Sequence, residues 1–345
     1  MTRTTPPRPV DVAAVFPQLA PLARTATRLH PRAGSPSPHE SSVGGPLLWP
    51  ADEPWPYCDG PHVPDGVNPA TSPEDVRLWR HIQAEAAGRT EGDPQFTREE
   101  MAIDKRIDVG CPWPEGPLAM LPVAQLYVRD VPLLRPPEQA DLLQVLWCPF
   151  DHPPMPQPRT ALFWRSAAEV TDLLTAPPEP AAVQSGDYVP QPCLLSPEQI
   201  TEYPHHLELS EALQKRLRDP RSWESAGIEW DSSSEHTPKA FYRDTLSISP
   251  GWKTGGWTQW GLTDPDPQFC PVCDTQMDPL LTIASAEWSD DTRSWVPHED
   301  QAHITPYVDG LDPANPPLVE LRGGYVLQLY TCPEVPDHAY TGLIQ

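Results

Sequence analysis

Cys270-Pro271-Val272-Cys273 carries the clearest chemistry in the sequence: two thiols at the spacing that lets both point at one metal ion from a tight turn. Two ligands leave a tetrahedral zinc site half built, so the remaining donors must come from elsewhere. Cys332 and His338, both in the segment TCPEVPDH, complete a set of three thiolates and one imidazole with Cys270 and Cys273. Such a site would clip the turn to a final strand and add folding free energy directly. Two other readings stand beside it. The pair can be small buried hydrophobes in a turn, or a redox pair, although no helical pattern follows to lower a thiol pKa.

The other cysteines, Cys58, Cys111, Cys148 and Cys193, are far apart in sequence. With His152 in CPFDH they are either buried thiols or part of a second metal site whose core is Cys148 and His152. His205 and His206 lead a stretch expected as a strand, so only one would face inward. Asp52, Glu53, Asp264 and Asp266 sit on proline-marked loops and read as solvated acids. The sequence holds no G-x-S-x-G elbow, dinucleotide or phosphate-binding glycine loop, H-E-x-x-H or deaminase signature. No residue therefore has a claim to be a catalytic nucleophile or base, none is assigned to an organic cofactor, and whether the protein is an enzyme stays open.

The elements that position these residues are expected to be strands and short helices, because each of the 50 prolines fixes φ and removes a backbone donor. Val12, Phe16 and Leu19 give a helical pattern between Val10 and Leu29. Ser72, Pro73 and Asp75 start a helix that Val76, Trp79, Ile82 and Ala86 continue to about Gly88. The run from Arg89 to Glu100 reads as exposed and polar. Strands are expected over Met120 to Val128, Leu142 to Cys148, Arg159 to Trp164, Leu280 to Ala284 and Tyr325 to Thr331. Ser196, Pro197 and Gln199 predict a helix start, and Leu209, Leu213 and Leu217 a short helix after Ser210.

One internal similarity runs through the chain. Gly44-Gly45 precedes Trp49 and Cys58 much as Gly255-Gly256 precedes Trp260 and Cys270, and Pro117-Leu118 and Pro279-Leu280 each lead into an apolar strand. A duplicated half-domain explains this, as does chance in a chain rich in Gly, Pro and Trp. The expected fold class is α+β, with extensive antiparallel or mixed β-sheet and short helices. The expected organisation is an N-terminal helix and polar loop (1–40), a first half with an inserted helix near 73–88 (41–218), a polar connector (219–240) and a second half with the cysteine knuckle (241–345).

A hydrophobic fraction of 38% with 13 Trp argues against disorder throughout. Against 48 Asp and Glu stand 24 Lys and Arg, a net charge of -24, so nucleic acid and membrane headgroups would meet repulsion and neither is expected as a partner. Lys253 alone among the aromatics of Gly251 to Trp260 is no phosphate track. No stretch approaches the roughly 18 apolar residues of a membrane helix. The proline-broken N-terminus is not a secretory signal, so the cytoplasm is expected. Seven cysteines in a chain this long suit a reducing compartment better than three disulfides and a free thiol.

The segments GGPLLWPADEPWPYC, AQLYVRDVP, LLQVLWCPFDH, KTGGWTQW, FCPVCDTQMDPLLTIAS and YVLQLYTC resemble actinobacterial members of the YwqG-like family, a domain of unknown function, in an order that covers nearly the whole chain. The resemblance implies a soluble bacterial α+β protein and no established activity. Similar members often carry a second C-x-x-C-like pair after the final strand. Val335 stands there in place of the second cysteine, which leaves His338 as a substitute ligand or the site incomplete. Three functions follow as expectations. The first is a noncatalytic binding or protein-interaction module with structural zinc, using Trp49, Trp55, Trp257 and Trp260 as partner surface. The second is a small-ligand binder or hydrolase-like enzyme with a pocket between the halves, lined by the same four tryptophans. The third is an acidic immunity-type protein that neutralises a basic toxin.

Overall fold

The computed structural model describes residues 2–63, 69–89, 95–228, 230, 237–304 and 312–345. Residues 90–94 of the expected polar run and 229 and 231–236 of the expected connector lie outside these. Fourteen strands are described. In the first half of the chain they are β1 (Arg24–Arg28), β2 (Arg32–Ala33), β3 (Ser42–Val43), β4 (Tyr57–Cys58), β5 (Leu118–Ala119), β6 (Leu121–Tyr127), β7 (Leu142–His152) and β8 (Gln157–Arg165). The second half supplies β9 (Cys193–Leu194), β10 (Glu198–Glu202), β11 (Lys253–Gly255), β12 (Asp278–Ala284), β13 (Val326–Thr331) and β14 (Thr341–Ile344).

Two six-stranded sheets result, one ordered β2-β9-β3-β6-β7-β8 and the other β10-β1-β11-β12-β13-β14, with β4 and β5 as a separate pair. Every pairing among these strands is antiparallel, so the α+β class holds. The two orders are one pattern. Substituting β9 for β1, β10 for β2, β11 for β3, β12 for β6, β13 for β7 and β14 for β8, and the reverse, turns either sheet into the other. The exchange works because the chain crosses between sheets twice, from β1 to β2 and from β9 to β10. This architecture is what two similar half-chains would build, each completing its partner's sheet.

The sheets share an apolar core in which Val123, Leu143, Val145 and Trp147 of one meet Leu281, Ile283, Leu327 and Leu329 of the other. Strand β7 is buried along its whole length, which is why its sequence LLQVLWCPF shows no polar alternation. On the outer face of the second sheet, Phe16, Leu19, Leu213, Leu217, Trp223 and Tyr242 form a separate cluster. Beside it lies a buried ionic network. Lys253, fully buried, contacts both carboxylate oxygens of Glu202 at 2.7 Å, so it is a core cation and not part of any surface track. Arg28, also fully buried, donates to Thr5 Oγ1 at 2.9 Å and Trp295 O at 2.8 Å.

The two Gly-Gly pairs do equivalent work at the ends of β3 and β11, where all four glycines have positive φ. A Cβ on Gly44 would stand 2.8 Å from the Gln191 backbone, and one on Gly256 would stand 2.2 Å from Glu202 Oε2. Gly256→Ala is therefore expected to destabilise the protein by about 2 kcal/mol or more, from left-handed strain plus displacement of a buried carboxylate. A urea midpoint within error of the parent would refute this.

The helices Pro73–Ala87, N-capped by Ser72, and Glu211–Arg218, N-capped by Ser210, form where their capping signals place them. Three expectations are corrected, and the exposed polar run gains a helix. The N-terminal pattern yields only one turn, Val12–Val15, then a 3-10 segment Pro17–Leu22 interrupted by Pro21, and then β1. Residues 198–202 form β10 and not a helix, because pairing with β1 satisfies their backbone. The polar run ends in a helix, Arg98–Val109, closed by a Thr97/Glu100 capping box and burying none of its residues. His205 and His206 are both buried, since they enter a 3-10 turn where alternation does not apply.

Candidate metal centres

Each half brings two cysteines, a histidine and one further donor together near the C-terminal end of one strand, β7 or β13. Around β7 the group is Cys58, His62, Cys148 and His152, and around β13 it is Cys270, Cys273, Cys332 and His338. Within each group one ligand atom per residue lies within 4.8 Å of all the others.

In the first group, β4 delivers Cys58, the loop after it His62, and the C-terminal part of β7 both Cys148 and His152. Cys148 Sγ is 3.3 Å from His62 Nε2, and Cys58 Sγ is 3.6 Å from His152 Nε2. Cys58, Cys148 and His152 are buried and His62 is half-buried. Arg159 flanks the group, with Nη1 4.0 Å from Cys58 Sγ and donating to Gly60 O at 2.9 Å.

In the second group the knuckle is a tight turn. Cys270 N donates to Thr275 O at 2.8 Å, Asp274 N to Cys270 O at 2.9 Å, and Asp274 takes φ 57. That turn presents both thiols to Cys332, immediately after β13, and to His338 in the loop before β14. Cys270 Sγ lies 3.4 Å from His338 Nδ1, and Cys273 Sγ lies 3.5 Å from Cys332 Sγ. Cys270 and Cys332 are buried, whereas Cys273 is exposed.

These separations suit a tetrahedral ion. Zn–S bonds near 2.3 Å and Zn–N bonds near 2.0–2.1 Å put neighbouring ligand atoms about 3.3–3.8 Å apart. The protonation states lean the same way. The Cys148 thiol draws the Cys58 thiol well below the ordinary range, helped by His152 and the Gly60 backbone, while Cys148 is pushed up by Cys58 and by burial. The Thr275 hydroxyl and backbone pull Cys273 down to about 6, and burial raises Cys332. Each site thus pairs a ready thiolate with a partner thiol that a cation would deprotonate.

Cys270, Cys273, Cys332 and His338 are brought together, and Cys148 and His152 meet as well. Cys111 and Cys193 do not join them. Cys111 Sγ donates to Ala70 O at 3.3 Å, and Cys193 is buried in the shared core, which pushes its thiol up to about 12. All seven cysteines are free. Sequence reasoning assigned no role to His62, although Cys58-Asp-Gly-Pro-His62 repeats the C-x3-H spacing of Cys148-Pro-Phe-Asp-His152. The repeat places Cys58 opposite Cys270, His62 opposite Cys273, Cys148 opposite Cys332 and His152 opposite His338.

Of the four tryptophans expected at a partner surface or an inter-half pocket, Trp49, Trp55 and Trp260 are buried and Trp257 is half-buried. Trp49 is 5.0 Å from Trp55 and 4.9 Å from Phe163, under the Arg165 guanidinium, and both indoles are buried. Trp55 Nε1 donates to Met120 O at 2.9 Å, Trp260 is buried, and the half-buried Trp257 donates to Leu22 O at 3.0 Å. Large rings beside the Gly-Gly turns fill the space there, and the indoles of Trp49, Trp55 and Trp257 find backbone acceptors. Among the described residues no helix is long and apolar enough to cross a membrane. No family model matches the chain and no curated protein matches it, so the paired Cys/His clusters are the firmest functional feature of the molecule.

Proposed function

We propose that the protein is a noncatalytic binding module whose two half-domains are each braced by a structural zinc ion. The supporting observation is that each cluster offers four protein donors within 4.8 Å of one another, enough to fill a four-coordinate zinc shell without water or substrate, as in structural and unlike catalytic zinc sites. In both halves the ion would tie the segment that follows a Gly-Gly turn to the C-terminal end of β7 or β13. On this reading the chain is a YwqG-like protein of the bacterial cytoplasm, where thiolates remain available to the metal.

Elemental analysis of the purified chain is expected to give two zinc ions per molecule. Cys270→Ser/Cys273→Ser should keep one, Cys58→Ser/Cys148→Ser should keep the other, and each should melt at a lower temperature. Cobalt substitution should give the intense visible bands of tetrahedral thiolate coordination. Metal-free protein with an unchanged melting temperature after zinc addition would overturn the proposal.

A further inference from the structure

We propose that a cleft between the two sheets binds a small organic anion, a carboxylate or phosphate carried on an apolar body, with Arg24 and Arg135 as its receptor. The cleft measures about 470 Å³, within the roughly 300–1,000 Å³ of small-molecule pockets. Strands β1, β11 and β12 form one wall and the β6–β7 loop the other. Leu133, Leu134, Pro279 and Leu280 give it an apolar lining.

The charged groups point to the ligand class. Asp278 is the one acid in the lining, against two guanidiniums. In a chain of net charge -24, most of the surface repels anions, so a local excess of cations at a concave site is selective. Arg24 is stacked on the Trp257 ring at 3.9 Å. Trp257 is itself held by its indole donation to Leu22 O and by its backbone N–H to Glu202 Oε2 at 2.9 Å. A guanidinium fixed by its face keeps its in-plane N–H fork free for a carboxylate or phosphate. Among the described residues neither the Arg24 nor the Arg135 side chain makes an ion pair or hydrogen bond, although the Arg24 charge acts on the carboxyl of Glu208.

Thr254, 2% exposed, forms part of the cleft wall. Thr25 adds an exposed hydroxyl at the rim. None of these groups is a metal donor, so the inference stands apart from the zinc reading, although Cys332 borders the cleft.

The test is calorimetric titration of the full-length, zinc-replete chain with phenyl phosphate and benzoate, and with benzyl alcohol as the neutral control. Saturable one-to-one binding of phenyl phosphate, benzoate or both is expected, weakened by salt, with no measurable binding of the alcohol. Arg24→Gln and Arg135→Gln should each weaken it roughly tenfold or more. Arg24→Lys should lose most of that affinity although the charge is kept, because the fork is gone. Both side chains are exposed, so the variants should keep the parent's circular dichroism and melting temperature. No saturable heat with either anion, or equal affinity in the Arg24→Gln/Arg135→Gln double variant, would overturn the proposal.

Discussion

Replacing Glu202 by alanine is expected to cost about 3–5 kcal/mol of stability, as for removal of one partner from a buried ion pair. Glu202 is fully buried and accepts from more than Lys253. Its Oε1 also takes Ser249 N at 2.9 Å and Ser249 Oγ at 2.6 Å, and its Oε2 takes Trp257 N at 2.9 Å. The substitution therefore strands two backbone donors and a buried ammonium whose pKa burial already lowers. Lys253→Met should cost less, about 3 kcal/mol, because the carboxylate keeps its backbone and hydroxyl donors. The double variant Glu202→Leu/Lys253→Met should recover only part of the loss, since the Ser249 and Trp257 N–H groups still lack an acceptor. Urea unfolding of the three variants measures this. Equal midpoints for Glu202→Ala and Lys253→Met would show that the pair acts alone and that the backbone donors are immaterial.

The same contacts explain what the sequence could and could not convey. Apolar runs marked β6, β7, β12 and β13 because both faces of those strands are covered. The caps Ser72 and Ser210 marked two helices because their side chains accept from nearby N–H groups. Strands β1 and β10 were illegible for the opposite reason. RTATR and EQITE put Arg28 and Glu202 into a buried network, and a hydropathy pattern reads such residues as solvated. Only partners distant in sequence, such as Lys253, make their burial tolerable.

The metal clusters divide along a similar line. The two thiols of the knuckle lie close in sequence, so Cys270 and Cys273 declared themselves, and Cys332 followed from the need for further donors. Cys58 and His62 reach Cys148 and His152 only after the inserted segment carrying the helices Pro73–Ala87 and Arg98–Val109. That separation obscured the set, while the repeated C-x3-H spacing was its one local trace. The Gly-Gly repeat hinted at two equivalent halves, but the exchange of β1 and β9 between sheets cannot be read from spacing. It depends on which edge each strand finds when the halves associate.

If the two clusters hold zinc as proposed, removing it should loosen the halves unequally, and the second should open first. Its knuckle is a turn with Cys273 exposed, and the segment after Cys332 runs through His338 to the edge strand β14, which pairs only with β13. That segment is otherwise anchored by Tyr340 Oη donating to Thr160 O at 2.5 Å and, at its far end, by Gln345, whose backbone exchanges hydrogen bonds with Val326 and whose side chain bonds the 261–263 backbone and Thr263 Oγ1. In the first half the donors Cys148 and His152 belong to β7, which is paired with both β6 and β8 over 142–147, rejoins β8 at 151–152 and is buried along its length. A strong chelator is therefore expected to lower the melting temperature by on the order of 5–10 °C. Hydrogen exchange should show amides of the 270–277 turn and of β14 losing protection by tenfold or more while those of β7 hold. Cys332→Ser should reproduce the loss at the turn and β14, and Cys58→Ser should confine its effect to the loop around His62. Uniform loss of protection across β7 and β14 on chelation would mean that the metals hold the whole fold and not its edges.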